Sequence, residues 1–425
     1  MQARPWVFLC SGIFGKLGLS IRLFLGRVRK PWRGDRMDMN IPQLRRDLLR
    51  WYSGAKRDLP WRRTRDPYAI LVSEMMLQQT QVKTALPYYE RFLGLFPDAR
   101  ALASAPEEKV LSAWAGLGYY RRARYLHSAA KTIVAVGTFP QSFESIRLLP
   151  GVGDYTAAAV ASIAFGLPRA VVDGNVIRVM ARLLALEENP VKGAGAAVVR
   201  ATAQALLDKR HPGDFNQAVM ELGASLCAPS RPRCPDCPLK KNCAGFLAGN
   251  AQDYPRLPAR PATRVLMKAV LLLVQGAGAR RKVLLRVRTD EKTPKAGQAA
   301  DRLRGFWAFP ELELPQAGWN GAQALVKALA HRLGGPEANL QARLPRIRHR
   351  ITVYDIHLWP FYFKTPLADR KGRLATAGAK EGWEWVTLGR VATLPLASAE
   401  KKLLLNLKTA LEPRFDDDPQ GRLKL

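Results

Sequence analysis

Four of the five cysteines fall within seventeen residues, as Cys227-x6-Cys234-x2-Cys237-x5-Cys243, while Cys10 lies apart. Four thiolates so close in sequence can close a tetrahedral zinc site or anchor an iron–sulfur cubane. Zinc sites usually pair two C-x2-C knuckles. Only one knuckle is present, with outer spacings of six and five, so the spacing favours a cluster and leaves zinc open. Prolines at 229, 232, 235 and 238 keep the segment a compact non-helical loop, and Arg231, Arg233, Lys240 and Lys241 give it a basic rim suited to phosphates. The plain alternative is four structural thiols without a metal.

Two carboxylates stand in opposite settings. Glu74 is the sole ionisable side chain between Ala69 and Leu77, an otherwise apolar stretch. Desolvation there raises a carboxyl pKa and lets it hold a proton near neutrality. Asp173, in Val171-Val172-Asp173-Gly174-Asn175-Val176, stands where a short apolar run becomes a helix, whose N-terminus favours its anion. A proton donor beside a fixed carboxylate is what glycosidic-bond cleavage through an oxocarbenium-like state requires. Read singly, Asp173 is an ordinary N-cap and Glu74 a paired helix residue, and their separation in sequence is silent on whether they meet.

Two further motifs suit a nucleic acid. Leu148-Leu149-Pro150-Gly151-Val152-Gly153 precedes Asp154-Tyr155-Thr156 and an alanine-rich run. Its glycines make a tight turn with backbone N–H groups directed outward at a helix N-terminus, which holds phosphate without reading bases. A G-x-G pair is equally an ordinary helix–helix turn. Leu77-Gln78-Gln79-Thr80-Gln81 and Gly116 to Arg122 combine amides, aromatics and arginines. Either could enter a groove and fill the hole left by an extruded base, or be a polar helix end and a basic solvent face.

The elements that must position these groups change character once. From Ile41 to Leu247 the pattern is helical: Asp66-Pro67 starts one helix, Pro106-Glu107-Glu108 opens another and Gly116-Leu117-Gly118 closes it. Residues 251–263 carry three prolines and read as a connector. Beyond them, Val265 to Val274, Lys282 to Val287, Ile351 to Phe361 and Trp383 to Val386 read as strands, with a helix over Ala322 to Arg332. The expected fold class is multidomain, an all-α core over 38–250 joined by 251–263 to an α/β domain over 264–412. Residues 1–37 are basic and expected to be poorly ordered. They read as an over-long start ahead of Met37 and Met39, with a transit peptide as the alternative. The tail 413–425, with Asp416-Asp417-Asp418, is expected to be solvated and disordered.

Charge narrows the partner. Lys and Arg number 67 against 35 Asp and Glu, a net +32, which favours a polyanion: nucleic acid first, an anionic membrane surface second. No run of about twenty apolar residues suggests a membrane span. Clustered cysteines point to a reducing compartment rather than a disulfide scaffold.

Taken together, these segments resemble the helix-hairpin-helix DNA glycosylases, and within them the MutY-type adenine glycosylases. The likeness is dense over about 41–250 and looser over 264–410. It is carried by Leu59-Pro60-Trp61-Arg62, Asp66-Pro67-Tyr68, Ser73 to Thr80, Gly116 to Tyr120, Leu149 to Gly153, Val172 to Val176 and the cysteine loop. The resemblance implies a [4Fe–4S] cluster on Cys227, Cys234, Cys237 and Cys243, and phosphate binding by Gly151, Val152 and Gly153. It implies that Glu74 protonates adenine at N7 and then helps water attack, while Asp173 stabilises the sugar cation. Trp61, Arg62 and Glu221 match positions lining the adenine pocket, and Gln79 and Tyr119 match those inserted into the base stack. Tyr155 stands where endonuclease III-like relatives carry a Schiff-base lysine. A phenol forms no imine, so a monofunctional enzyme is expected. Tyrosine also occurs there in thymine-mismatch glycosylases, which keeps a thymine or uracil mismatch enzyme as the alternative, with a non-catalytic DNA-binding metal protein behind it.

Gly305 to Pro310 and Trp383 to Val386 resemble the Nudix-like domain of the same family, which checks for 8-oxoguanine. No Arg-Glu-x-x-Glu-Glu run follows Pro310, so binding without hydrolysis is implied. The family's Phe-Ser-His-like loop is replaced by Ile347-Arg348-His349, which keeps only the histidine. Asp154 stands in the hairpin where a basic or neutral residue is commoner. The expected partner is duplex DNA with A opposite 8-oxoguanine or G, bound by a monomer with no membrane. The expected place is a bacterial cytoplasm at the nucleoid, or a nucleus or mitochondrion in a eukaryote.

Overall fold

The computed structural model describes residues 32–33, 36–37, 39–259, 261–289, 304–314, 322–351, 353–366 and 382–412. The expectation for the tail 413–425 lies outside them. So does that for the extension before residue 32, after which Trp32–Arg33 (β1) pairs antiparallel with Arg36–Met37 (β2). The helical elements are Ile41–Ala55 (α1), Pro67–Leu77 (α2), Val82–Leu95 (α3), Ala99–Ser104 (α4), Glu107–Trp114 (α5) and Arg121–Val136 (α6). They continue with Phe143–Arg147 (α7), Asp154–Phe165 (α8), Gly174–Leu184 (α9), Gly193–Leu206 (α10), Pro212–Ser225 (α11) and Ala244–Leu247 (α12).

Two compact units divide the chain. Unit 1 comprises Met1–Gln78 and Thr132–Ala259; unit 2 comprises Gln79–Lys131 and Arg260–Leu425. The crossing at Ala259 lies inside the stretch expected as a connector. The other two crossings fall within the helical stretch, so residues 79–131 group with the strand-rich half and not with the rest of 38–250.

Unit 1 is built round α1, α9 and α11. Leu44, Leu48 and Tyr52 recur every four residues on α1 and pack with Val179, Met180 and Leu183 of α9 and Phe215, Val219 and Leu222 of α11. Helix α2 is different: every residue from Tyr68 to Met76 is buried, as expected of a helix apolar all round. Its start is as the sequence suggests, with Asp66 accepting from the Tyr68 and Ala69 N–H groups at 3.1 Å and proline in the first turn.

In unit 2 the strands are Arg264–Gln275 (β3), Lys282–Val287 (β4), Trp307–Ala308 (β5), Glu311–Leu314 (β6), Asn339–Arg343 (β7), Ile347–Ile351 (β8), Tyr354–Thr365 (β9) and Trp383–Thr387 (β10). Helices Ala322–Gly334 (α13), Leu388–Val391 (α14) and Ser398–Leu411 (α15) accompany them. The sheet runs β10-β4-β3-β9-β7, and β3 and β9 pair in parallel over their full length. Alternation along β3 splits the core: Val270, Leu272 and Val274 pack with Leu403, Leu404 and Leu407 of α15, whereas Ala269, Leu271 and Leu273 pack with Val326, Ala330 and Leu333 of α13. Helix α13 carries no Asp or Glu, so it offers no carboxylate to a divalent cation.

One expectation is corrected. Residues Ile347 to Ile351 are not a loop but strand β8, paired antiparallel with the start of β9 through Arg350↔Asp355 and Ile351↔Tyr354. The expected strand Ile351 to Phe361 is therefore two strands meeting at a tight reversal.

Candidate active site and cysteine loop

Three elements of unit 1 converge on Glu74. It lies on the inner face of α2, only 5 % exposed, and the Tyr155 hydroxyl from the first turn of α8 donates to its Oε2 at 2.5 Å. Burial drives the Glu74 carboxyl up to about 7. The Tyr155 hydrogen bond opposes that rise, and the nearby Asp173 charge adds to it. With Oε2 occupied by Tyr155, the proton Glu74 holds near neutrality belongs to Oε1. Burial and the two neighbouring carboxylates push the Tyr155 phenol well above its ordinary range, so it stays a donor.

Asp173 caps α9. Its Oδ1 accepts from the Val176 N–H at 2.7 Å and its Oδ2 from Asn175 Nδ2 at 2.9 Å. The helix end engages it as the sequence suggests, yet its carboxyl moves up, because burial outweighs those hydrogen bonds. Asp173 lies close enough to Glu74 for its charge to be felt there.

Beside them Glu221, on α11 and 2 % exposed, takes three charge-assisted hydrogen bonds: Arg57 Nε at 2.7 Å, Arg57 Nη2 at 2.9 Å and Arg62 Nη2 at 2.6 Å. Burial alone would raise the Glu221 carboxyl; the two arginines overcome it and hold it below the ordinary range. Trp61 is buried in the same short turn, Pro60–Arg62. Arg57 was not singled out in the sequence, since Lys56-Arg57-Asp58 looks like any solvated loop.

The hairpin joins α7 to α8. Gly151 adopts φ 75°, a left-handed value that favours glycine, and Gly153 is the N-cap of α8. The Val152 N–H already donates to the Leu149 carbonyl at 3.1 Å, which leaves Gly151 and Gly153 as the turn's candidate phosphate donors. Asp154 pairs with Arg147 across the hairpin.

Cys227, Cys234, Cys237 and Cys243 line one cavity together with Arg182, and none is in a disulfide. Arg182, 2 % exposed, donates to Cys227 Sγ at 3.2 Å and to the carbonyls of Cys227, Ala228, Pro229 and Tyr254. Arg178, one turn earlier, donates to the Cys227 and Gly223 carbonyls and to Asn175 Oδ1, so the residue holding Asp173 is itself tied to the loop. Neither arginine was foreseen. Their spacing of four on a helix that is apolar beyond Asn175 is the signal that marks them.

In unit 2, Gln79 and Tyr119 are exposed and both hold positive φ, 56° and 49°. His349 lies partly buried on β8 opposite Ile356, its imidazole held below the ordinary value by burial and by Lys402. Arg348 is turned to Asp355, donating through Nε at 2.8 Å and Nη2 at 2.5 Å.

Residues 72–205 match the model of the HhH-GPD superfamily of base excision DNA repair proteins. Adenine DNA glycosylase of Rattus norvegicus is 33% identical over 413 residues, covering 86% of this chain and 78% of that protein. Its counterpart from Homo sapiens is 34% identical over 415 residues, covering 85% and 73%. Among solved structures, a thermostable thymine-DNA glycosylase aligns with 49% of the chain and 97% of its own at 29% identity, with a TM-score of 0.46. Identity at this level, sustained over most of both chains, places the protein in the adenine DNA glycosylase family, a family of base excision DNA glycosylases.

Proposed function

We propose that the protein excises adenine lying opposite 8-oxoguanine or guanine in duplex DNA, by hydrolysis of the N-glycosidic bond of an extruded nucleotide. The observation that carries the reading is Glu74, a buried carboxyl raised to about 7 and within reach of the charge of Asp173. Glu74 Oε1 gives its proton to adenine N7; the C1′–N9 bond breaks with its electron pair retained by the base; Asp173 stabilises the sugar cation. Water then attacks C1′ and returns a proton to Glu74. Tyr155 orients Glu74 and has no amine to form an imine, which supports hydrolysis without strand cleavage. Trp61, Arg62 and Glu221 line the base pocket. His349 on the β8–β9 hairpin is the residue proposed to meet 8-oxoguanine.

The four cysteines fit a [4Fe–4S] cluster. They face one cavity together with Arg182, whose Nη1 donates to Cys227 Sγ, a setting that suits a buried cluster held by four thiolates. Burial pushes the Cys237 thiol up to about 12 and the Cys243 thiol up to about 11, and these four cysteines would hold the cluster as thiolates. When bound, the cluster supplies four iron–thiolate bonds that fix the loop. The protein is proposed to act as a monomer where DNA is kept: a bacterial cytoplasm, or a nucleus or mitochondrion.

The test is a duplex with one A:8-oxoguanine pair, run beside G:T and G:U duplexes and split with or without alkali. Cleavage of the adenine strand only after alkali is expected. Processing of G:T or G:U with A:8-oxoguanine untouched overturns the reading.

A further inference from the structure

Tyr119 stands on the turn Ala115 to Tyr120 that joins α5 to α6, and this turn holds an unusual backbone. Gly116, Gly118 and Tyr119 have φ of 116°, 76° and 49°, a region tyrosine seldom occupies. Such a turn persists only when its surroundings over-determine it.

One side is held by Arg122, a buried guanidinium. Its Nη2 donates to the Gly118 carbonyl at 3.0 Å and to Thr80 Oγ1 at 3.1 Å. Its charge lies 5.5 Å from the Tyr119 ring centroid and 5.5 Å from that of Trp114, whose Nε1 also donates to the Gly118 carbonyl. Through Thr80 the same guanidinium grips the turn of Gln79.

The other side is held from the strand-rich part of unit 2. The Phe306 ring, fully buried, lies 3.9 Å from the Tyr120 ring, centroid to centroid. Lys401 Nζ, on the first turn of α15, donates to the Ala115 carbonyl at 2.9 Å. These two contacts fall on Ala115 and Tyr120, the first and last residues of the turn. Gly305 allows the approach: a Cβ there would lie 3.1 Å from Arg124 Nη2 and 3.5 Å from Leu111 Cδ1.

We infer that Phe306 and Lys401 are positioning residues for Tyr119, so the strand-rich part of unit 2 sets how that side chain enters the base stack. The inference rests on the proposed insertion of Tyr119. It makes the strand-rich part an active component of base extrusion as well as a lesion reader, because the Tyr119 turn is pinned at both ends by it.

The test uses full-length protein and a duplex with 2-aminopurine beside 8-oxoguanine, a base that brightens when its stack opens. Lys401→Met keeps the aliphatic stem on an exposed residue and decides the matter even if Phe306→Leu fails to fold. Both variants are expected to bind the duplex within about twofold of the parent while the 2-aminopurine signal falls by about threefold or more. Tyr119→Ala is expected to lose the same signal, and adding Lys401→Met to it to take nothing further. Full signal in the Lys401 and Phe306 variants, with loss in Tyr119→Ala, overturns the positioning role and leaves insertion standing. Full signal in Tyr119→Ala overturns both. Additive loss in the double variant shows Lys401 acting elsewhere and overturns the inference.

Discussion

A carboxyl group is a useful acid at neutral pH only where its surroundings refuse its charge, and at Glu74 they do. The excision rate is therefore expected to fall as pH rises through about 7, since the protonated form is the one that acts. The linkage to stability has the same origin. The folded pKa lies above the unfolded value, so the folded state holds the proton more firmly between 4.5 and about 7. Above that window the buried anion costs up to about 3 kcal/mol. Glu74→Gln is expected to be inactive, to bind DNA, and to resist urea better than the parent at pH 8 but equally at pH 4. An equal gap at both pH values would show that burial of the charge is not the cause. Desolvation of Glu74 was legible in the sequence as one of two readings, since a lone acid in an apolar run is either buried or paired; the fold buries it. Arg57 was not legible: its polar neighbours give no sign that it reaches a buried carboxylate 164 residues away.

Elements were readable in proportion to how strongly local chemistry fixed them. Asp66-Pro67 specified the start of α2, and β3 and β4 showed as apolar runs that only a buried sheet can use. Strands β6, β7 and β8 did not show. Each has four or five residues and several are charged or exposed, so their pairing partners, more than their composition, make them strands. Ile347-Arg348-His349 was expected as a loop from the resemblance, and its charged, partly exposed residues gave no sign of a strand. In the hairpin, Asp154 sits in the first turn of α8, beside the glycines expected to meet phosphate, and engages Arg147. Asp154→Ala is expected to tighten duplex binding by about threefold to tenfold, by removing a repelling charge and releasing a cation. Fluorescence anisotropy with an undamaged duplex measures this; unchanged or weaker binding would show that Asp154 is needed to hold the hairpin.

Across the molecule the excess of 32 positive charges exceeds what any single site uses. Backbone contacts of this kind release counterions, so affinity for undamaged duplex is expected to drop by about a thousandfold between 50 and 200 mM salt. A shallow dependence, measured by titration at a series of salt concentrations, would mean that most of the arginines and lysines face away from DNA. The change of texture near residue 251 was visible in the sequence, but the grouping of 79–131 with the strand-rich half was not. It depends on contacts such as Tyr120 with Phe306 that only the folded chain brings together.

That regrouping has a bearing on protein synthesis. The stretch Gln79–Lys131 leaves the ribosome well before the stretch from Arg260 onward, and every residue assigned to bond cleavage or to the cysteine loop lies upstream of Arg260. A nonsense codon at the connector would spare the residues assigned to bond cleavage yet remove Phe306 and Lys401, leaving the Tyr119 turn held by Arg122 and Trp114 and the Tyr120 ring without the Phe306 ring. Such a truncated product should keep its four clustered cysteines and its carboxylates and still open the base stack poorly.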